Sequence, residues 1–324
     1  MGSDSNAARI AVLVMIVTPL AFSTNLVFGR HVIGDVTPFT LAFIRWASVA
    51  LVLSPLALRE AAAVRRVVRT RPGLLLLLGF LGMWLCGAVV YLALAHTTAT
   101  NATLIYTTSP VFILLIEALW KGRPIGAREI VGSIAALAGV AVIVTKGDMG
   151  VLTGLGFNIG DVMILAAAIA WAVYGVLYKD DGLKALSNLA LFALVAAAGA
   201  LAIAPFALWE VASGVALPHT ADAWRSIAGI IVFASLMAFS GFQFGVRRLG
   251  ASLTGIFMYM LPVYGVFLAV TFLGERFQGF HLAGIALVLG GVMIATFPLD
   301  WLRRRFGSAK LAEHREGLEQ PEGK

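Results

Sequence analysis

The chain has 324 residues, of which 60% are hydrophobic and only 13% are charged, and its mean hydropathy is +0.92. A soluble globular domain carries about 25% charged residues and leaves much of its surface in water, so this composition excludes a water-soluble fold. The net charge is +7, but the basic residues stand in short clusters between apolar runs, which is typical of membrane proteins and argues against nucleic-acid binding. The single cysteine, Cys86, lies in an apolar run, where we expect ordinary packing.

Ten apolar segments are each long enough to cross a bilayer as a helix, which takes about 20 mainly apolar residues. Turn and charge signals such as Arg71-Pro72-Gly73 separate them. No small-residue cleavage site follows the first segment, so we interpret it as a span and not as a signal peptide. A short N-terminal segment, 1–8, and a charged tail, 300–324, flank the spans. The predicted spans are 9–29, 37–58, 73–95, 98–120, 126–146, 157–179, 185–209, 222–247, 250–273 and 279–299.

The distribution of Lys and Arg predicts the orientation, because cytoplasmic loops are enriched in both. If the N-terminus is cytoplasmic, the inside segments carry thirteen Lys and Arg residues before the tail is counted. The outside segments carry only Arg30, Lys146, Arg225 and Arg276. This imbalance predicts a multi-pass protein of the bacterial inner membrane with both termini in the cytoplasm.

The second half of the sequence repeats the first, and the matches fall on Pro and Gly more than chance apolar matching would give. Because each half has an odd number of spans, the second half enters the membrane from the opposite side. We therefore predict two inverted five-helix repeats, 9–147 and 157–299. At a shift of 152 residues the matches include Pro110 with Pro262, Gly132 with Gly284 and Gly139 with Gly291, and at a shift of 149 they include Phe22 with Trp171 and Asn25 with Tyr174.

Inverted repeats are typical of transporters, in which the substrate site lies near the midplane and the two halves exchange conformations to give alternating access. A membrane enzyme is the competing class, but we find no His-rich metal cluster, paired-Asp motif or nucleophile set in the sequence. We therefore expect no catalytic residue, metal or cofactor. A sensor or scaffold would be expected to append a soluble domain, for which the tail is short.

Several short motifs follow one another along residues 9–299. In this order and spacing the sequence resembles the EamA-type branch of the drug/metabolite transporter superfamily. The resemblance implies a ten-helix carrier, similar to bacterial exporters of aromatic and neutral amino acids, although the step to a substrate is analogy. The motifs are Ala21-Phe22-Ser23-Thr24-Asn25, Thr37-Pro38, Phe43-Ile44-Arg45-Trp46 and Ser109-Pro110-Val111-Phe112 in the first half, and Ala170-Trp171-Ala172-Val173-Tyr174, Leu261-Pro262-Val263 and Leu273-Gly274-Glu275 in the second.

One departure from related transporters concerns the mechanism. The small multidrug relatives carry a membrane-embedded glutamate in their first helix, where this chain has Thr18, Ser23, Thr24 and Asn25. With no carboxylate clearly at mid-membrane, we favour facilitated diffusion. A proton-coupled exporter of drugs or quaternary cations on the same fold remains the alternative.

Ionisable residues inside a membrane are costly and are functional candidates by default. Arg45, about two turns into the second span, either pairs with a substrate carboxylate or has a structural role, in which it binds backbone carbonyls or snorkels toward the outer interface. Glu117 is expected to pair with Lys121, four residues later on the same helix face. Asp161, at the start of the sixth span, suits the positive end of the helix dipole.

The substrate site is predicted among polar and aromatic residues at mid-depth. Pro110 and Pro262 are expected to break spans 4 and 9, freeing a carbonyl near Tyr106 that is tolerated beside a watery cavity. Alternatively, Thr and Ser bond their own backbone and Trp and Tyr lie in the interfacial belt. Lining aromatics suit a substrate with an apolar part, and few fixed charges suit a zwitterion. The candidate substrate-binding residues are Trp84, Tyr91, Asn101, Tyr106, Thr107, Ser109, Trp171, Tyr174, Gln243 and Tyr259.

Small and aromatic residues at span faces and ends predict further contacts. Gly132 with Gly139, and Gly284 with Gly291, form small faces that allow close helix packing or, alternatively, a dimer. We expect Trp209, Trp224 and Trp301 to anchor span ends in the interfacial belt. The expected partners are a small-molecule substrate and the lipid bilayer, with the chain as a monomer or homodimer.

Overall fold

The computed structural model describes residues 2–30, 32, 35–148, 150–154, 156, 158–214 and 217–296. Ten of the described helices are long and apolar enough to cross a membrane, which confirms the all-α fold with ten spans. Each observed span begins and ends within three residues of the prediction. The tail 300–324, with Trp301, lies outside the described residues. The spans, numbered 1 to 10 below, are Arg9–Gly29, Pro38–Arg59, Pro72–Ala93, Ala99–Lys121, Ala127–Val144, Ile159–Leu177, Asn188–Ala212, Ala221–Leu249, Ala251–Phe272 and Gly279–Thr296.

Four spans consist of more than one helical segment, and they form the equivalent pairs 3 with 8 and 4 with 9. Span 1 belongs to a longer helix, Gly2–Arg30. The segments are Pro72–Gly79, Phe80–Val89 (π-helical) and Val90–Ala93 in span 3; Ala99–Tyr106 and Ser109–Lys121 in span 4; Ala221–Gly229, Ile230–Met237 (π-helical) and Ala238–Leu249 in span 8; and Ala251–Phe257, Met258–Met260 (3-10) and Leu261–Phe272 in span 9.

The breaks in spans 4 and 9 each precede a proline. Pro110 and Pro262 stand in the first turn of the segment that follows the break. The N–H groups of a first turn have no partner within the helix, so a proline there costs no helical hydrogen bond. In span 4 the hydroxyls of Thr107 and Thr108 donate to backbone carbonyls three residues earlier, at 3.0 and 2.6 Å. Both predicted breaks are present, and side chains satisfy part of the interrupted backbone.

The π-helical segments of spans 3 and 8 occupy equivalent positions, which the sequence analysis did not predict. At the shift of 149 residues, Cys86 of span 3 corresponds to Ser235 of span 8. The Ser235 hydroxyl donates to the carbonyl of Ile230, five residues earlier, at 2.8 Å. π-Helical turns inside α-helices are uncommon, and those that do occur are often found at functional sites.

The two halves pack against each other reciprocally. Span 2 packs along span 7, and span 5 packs along span 10. Span 1 contacts spans 8 and 9, and span 6 contacts spans 3 and 4, which is the same pairing with the halves exchanged. Each half therefore covers the other with the same set of spans.

Spans 5 and 10 approach closely through the four glycines singled out in the sequence. A Cβ on Gly132 would lie 2.5 Å from the carbonyl oxygen of Gly291, and one on Gly284 would lie 2.8 Å from that of Gly139. The packing interpretation is therefore correct. The alternative that these glycines form a dimer face is not supported, because they face each other within one chain.

In the described part of the chain, three short helices lie outside the spans, at Ala61–Thr70, Gly150–Thr153 and, as a 3-10 turn, Asp181–Leu183. The first carries the Arg-rich sequence between spans 2 and 3, and its Val67 is buried. Glu60, just before it, accepts a hydrogen bond from the N–H of Ser187, 2.9 Å away at the start of span 7. Hydrogen bonding to Ser187 holds the pKa of the Glu60 carboxyl below its ordinary value.

Candidate functional site

A cavity of about 170 Å³ lies inside the helical bundle where spans 1, 2, 3, 4, 6, 8 and 9 meet. Both halves contribute to its wall. The broken turns of spans 4 and 9 and the π-helical segments of spans 3 and 8 all reach it. Among the described residues its lining contains no carboxylate. The lining residues are Phe22, Asn25, Arg45, Cys86, Val90, Tyr106, Thr107, Ser109, Pro110, Trp171, Ala234, Phe239, Met258, Tyr259 and Leu261.

An aromatic cluster around Trp171 forms one wall of the cavity. The indole meets Phe22 and Phe239 edge-on, with ring centroids 5.8 and 5.4 Å apart. Phe242 lies 4.4 Å away and Tyr174 stacks at 5.5 Å. Edge-to-face and offset contacts of this kind fix ring orientations, so the cluster presents a rigid apolar surface to whatever enters.

The polar part of the lining centres on Arg45. Its Nε donates to the Ser235 hydroxyl at 2.5 Å, and its terminal nitrogens donate to the Ala234 carbonyl at 2.8 Å and to the Tyr91 hydroxyl at 3.3 Å. Tyr91 in turn donates to Oδ1 of Asn25 at 3.2 Å. Arg45 thus binds a backbone carbonyl, as one of its two predicted roles requires, and also lines the cavity, as the other requires.

The structure brings half of the predicted substrate-binding residues together at the cavity. Span 4 contributes the turn that precedes and includes Pro110, because the break there turns polar side chains inward. The predicted residues that line the cavity are Tyr106, Thr107, Ser109, Trp171 and Tyr259.

Tyr174 and Gln243 lie outside the lining, although both are fully buried. The Gln243 amide donates to the Tyr174 hydroxyl at 2.6 Å. Because Tyr174 stacks on Trp171, this pair supports the aromatic wall from outside the lining and does not contribute to the surface of the cavity.

Three other predicted residues lie away from the lining. Tyr91 reaches it only through Arg45 and Asn25. Trp84 stacks on Phe80, with centroids 4.9 Å apart. Asn101 lies at the start of span 4, where its amide donates to the Asp161 carboxylate at 3.3 Å.

Sequence reasoning gave pairing with a substrate carboxylate as one of two roles for Arg45 but left it out of the candidate binding residues, and it missed several lining residues. The internal repeat carried a usable signal, because Phe22 and Asn25 are the repeat partners of Trp171 and Tyr174. Cys86 is half-buried at the cavity, and its thiol donates to the Ala167 carbonyl at 3.3 Å. The other missed residues are Val90, Ala234, Phe239, Met258 and Leu261.

Three buried carboxylates among the described residues connect the two halves away from the cavity, namely Glu117, Glu210 and Asp161. The predicted pairing of Glu117 with Lys121 is wrong. The Glu117 carboxylate accepts hydrogen bonds from the hydroxyl and, at 3.3 Å, from the N–H of Ser252 at the start of span 9, and it lies 3.9 Å from Nε of Arg123. The first turn of span 9, in the other half, therefore provides the donors to Glu117 in place of Lys121.

Glu210, which the sequence analysis did not consider, is a carboxylate of the second half that binds the first half. Near the end of span 7, its carboxylate accepts from the N–H and hydroxyl of Thr40 at 2.8 and 2.9 Å and from the N–H of Phe39 at 3.2 Å. Glu210 therefore caps the start of span 2. Asp161 caps its own helix, as expected, by accepting from the N–H of Asn158 at 3.0 Å, and it also accepts from the amide of Asn101 in the first half at 3.3 Å.

A model of the EamA-like transporter family matches residues 9–145 and matches again at 158–297. The chain belongs to this family. The EamA-like chain is 29% identical to a protein named an uncharacterized transporter from Archaeoglobus fulgidus, over 88% of this chain and 96% of the relative. It is 28% identical, over 80% and 83%, to one named a probable terminal-alkyne amino-acid exporter from Streptantibioticus cattleyicolor. A solved crystal structure shares the fold, with a TM-score of 0.72, 22% identity and coverage of 88% and 97%.

Family membership establishes what class of protein this is. It is a multi-pass membrane transporter of two EamA-like repeats and not an enzyme. A transporter of this kind moves a small molecule across a lipid bilayer. The cavity between the two halves is the candidate binding site for that molecule.

Proposed function

We propose that the protein exports amino acids with neutral or aromatic side chains. The observation that carries the proposal is the cavity shared by both halves, with a rigid aromatic wall at Trp171 and short polar groups at the broken turn of span 4. Such a lining accepts a molecule with an apolar part and a polar end. One relative, 28% identical, is named as a probable exporter of a terminal-alkyne amino acid, which has this form.

Transport proceeds by alternating access, with 9–147 and 157–299 as the two moving units of opposite orientation. The reciprocal packing of spans 1, 8 and 9 against 6, 3 and 4 supports this, because exchanging the roles of the two halves would expose the same cavity to the other side. The distribution of Lys and Arg favours a bacterial inner membrane location with both termini in the cytoplasm.

Transport is facilitative. Proton coupling through the cavity would require a titrating group there, and the described lining contains no carboxylate or histidine. The alternative, proton-coupled export of drugs or quaternary cations, has the further difficulty that Arg45 would repel a cation in a low-dielectric cavity.

Uptake of radiolabelled phenylalanine and leucine into proteoliposomes tests the proposal, with and without an imposed proton gradient. We expect saturable uptake that does not depend on the gradient and is lost in Trp171→Ala. Trp84→Ala is the matched control, because it removes an indole that packs outside the cavity. No uptake by the folded wild-type protein, or equal loss in both variants, would contradict the assignment.

A further inference from the structure

We propose that Arg45 binds the carboxylate of the transported molecule and restricts transport to compounds that carry one. This rests on the proposed function, since it names the chemical group by which the same cavity recognises its substrate. It changes the expected substrate from an amino acid to any carboxylate with an apolar remainder, whether or not an amino group is present.

Arg45 has donors left for a ligand. Its side chain lines the cavity although the residue is only 6% exposed. A guanidinium has five N–H groups in a fixed planar fork. Three of them are directed at Ser235, Ala234 and Tyr91, and two remain. Two N–H groups of a guanidinium match the two oxygens of a carboxylate.

Arg45 has no acidic partner in the described part of the chain. Among the described residues no carboxylate lies within ion-pair distance of it. The nearest favourable charge distribution is aromatic, with the guanidinium carbon 4.5 Å from the ring centroid of Trp46 and 5.7 Å from that of Phe239. A buried charge without a counter-ion is costly, and an anionic group entering the cavity would offset that cost.

The contact between Arg45 and the π-helical segment of span 8 does not explain why this position carries a positive charge. Arg45 does contact that segment, through Ala234 and Ser235. The residue that corresponds to Arg45 at the shift of 149 is Leu194. The equivalent π-helical segment of span 3 therefore forms without an arginine. The positive charge is therefore an addition to one half of the molecule, on the side that faces the cavity.

The lining predicts a substrate preference. It contains one cation and no anion among the described residues, so a carboxylate whose amino group is acylated should enter at least as readily as the zwitterion. An amide or ester of the same amino acid should be rejected, because it leaves the guanidinium unpaired and brings a positive charge beside it.

Competition and uptake in proteoliposomes test this with phenylalanine, N-acetylphenylalanine and phenylalaninamide, on wild type, Arg45→Lys and Arg45→Gln. In wild type we expect the amide to have a KM at least about tenfold above that of the other two, as one charge-assisted pair implies. In Arg45→Gln we expect this discrimination to fall below about threefold, with the KM for the carboxylates raised. Arg45→Lys, which keeps the charge but loses the fork, should lie between. Equal discrimination in wild type and Arg45→Gln, or equal loss for all three compounds, would overturn the proposal.

A binding measurement separates this inference from the proposed function. Thermal unfolding of the detergent-purified protein is measured with 3-phenylpropionate and with 3-phenylpropionamide. We expect only the carboxylate to raise the Tm of wild type, and neither compound to raise that of Arg45→Gln. If amino acids are not transported but this pattern holds, amino-acid export falls and the role of Arg45 stands. No stabilisation of wild type by the carboxylate, or equal stabilisation by both compounds, overturns it.

Discussion

Tyr259 is a cavity residue whose hydroxyl is buried and makes no well-formed hydrogen bond with any described residue, although the Ser133 hydroxyl is nearby. A buried hydroxyl left in this way costs free energy until a partner arrives. The Tyr259→Phe variant tests whether the transported molecule is that partner. The same residue is repeat partner to Thr107, which also lines the cavity.

The Tyr259→Phe variant should therefore affect binding more than folding. We expect its KM to rise about 3- to 10-fold, the effect of one neutral hydrogen bond to the substrate, while the Tm stays within about a degree because no internal bond is lost. Tyr264→Phe is the matched control. Its hydroxyl donates to the Ile16 carbonyl at 2.8 Å away from the cavity, so that variant should lose stability and keep its KM. An unchanged KM in Tyr259→Phe would show that the substrate does not use this hydroxyl.

At the scale of single elements, the paired spans repeat the same departures from a regular helix. The breaks of spans 4 and 9 and the π-helical segments of spans 3 and 8 all lie against the cavity, through residues such as Pro110, Tyr259, Cys86 and Ala234. Irregular backbone inside a membrane is tolerated only where protein or a cavity satisfies it. The regular spans 5 and 10, in contrast, pack on each other and contribute nothing to the described lining.

The contact between spans 5 and 10 depends on specific glycines. In Gly291→Ala the new Cβ would lie 2.5 Å from the backbone nitrogen of Ala136 and the carbonyl oxygen of Gly132. The spans must separate, and we expect the free energy of unfolding to fall by about 1–3 kcal/mol, as overpacking does elsewhere. Gly290→Ala adds the same methyl group one residue earlier, where nothing lies within 4 Å. Thermal unfolding of both variants in detergent checks this, and an equal Tm would show that the close packing contributes little to stability.

At the scale of the whole molecule, Glu117 and Glu210 each connect one half to the first turn of a span in the other half. Successive spans cross the membrane in opposite directions. The contact of Glu117, near the end of span 4, and that of Glu210, near the end of span 7, therefore lie at opposite faces. Under alternating access the cavity opens to one face at a time, so the two ties cannot both persist through a transport cycle. Each tie then stabilises the conformation closed on its own side.

The single cysteine of the chain can report this opening, since Cys86 lines the cavity. We expect Glu210→Ala to increase labelling of Cys86 by a membrane-impermeant thiol reagent added on the outer face, and Glu117→Ala to increase it from the cytoplasmic face. A loss of about 1.4 kcal/mol in either tie would change the open population about tenfold.

Two controls accompany the labelling experiment. Cys86→Ala must abolish the signal. Asp222→Ala removes an exposed carboxylate that pairs within one helix with Arg225, and it should leave labelling from both faces unchanged. Increased labelling from both faces in each glutamate variant would mean that the ties hold the fold together without selecting a side.

The sequence by itself determined the features that depend on local composition. Hydropathy located the ten spans, because lipid requires about 20 apolar residues at each crossing. Pro110 and Pro262 located the broken turns, because proline lacks an N–H. Gly132, Gly139 and their partners located the closest packing, because only small side chains let two backbones approach.

The tertiary structure decided which face of each span points inward. A span in lipid is apolar on all sides, so hydropathy reveals depth but not rotation. For this reason Trp171 lines the cavity while Tyr174, one turn away on the same helix, lies outside the lining with Gln243. The partner of Glu117 and the position of Arg45 beside the cavity likewise depend on contacts between residues more than 100 positions apart, which no local pattern encodes.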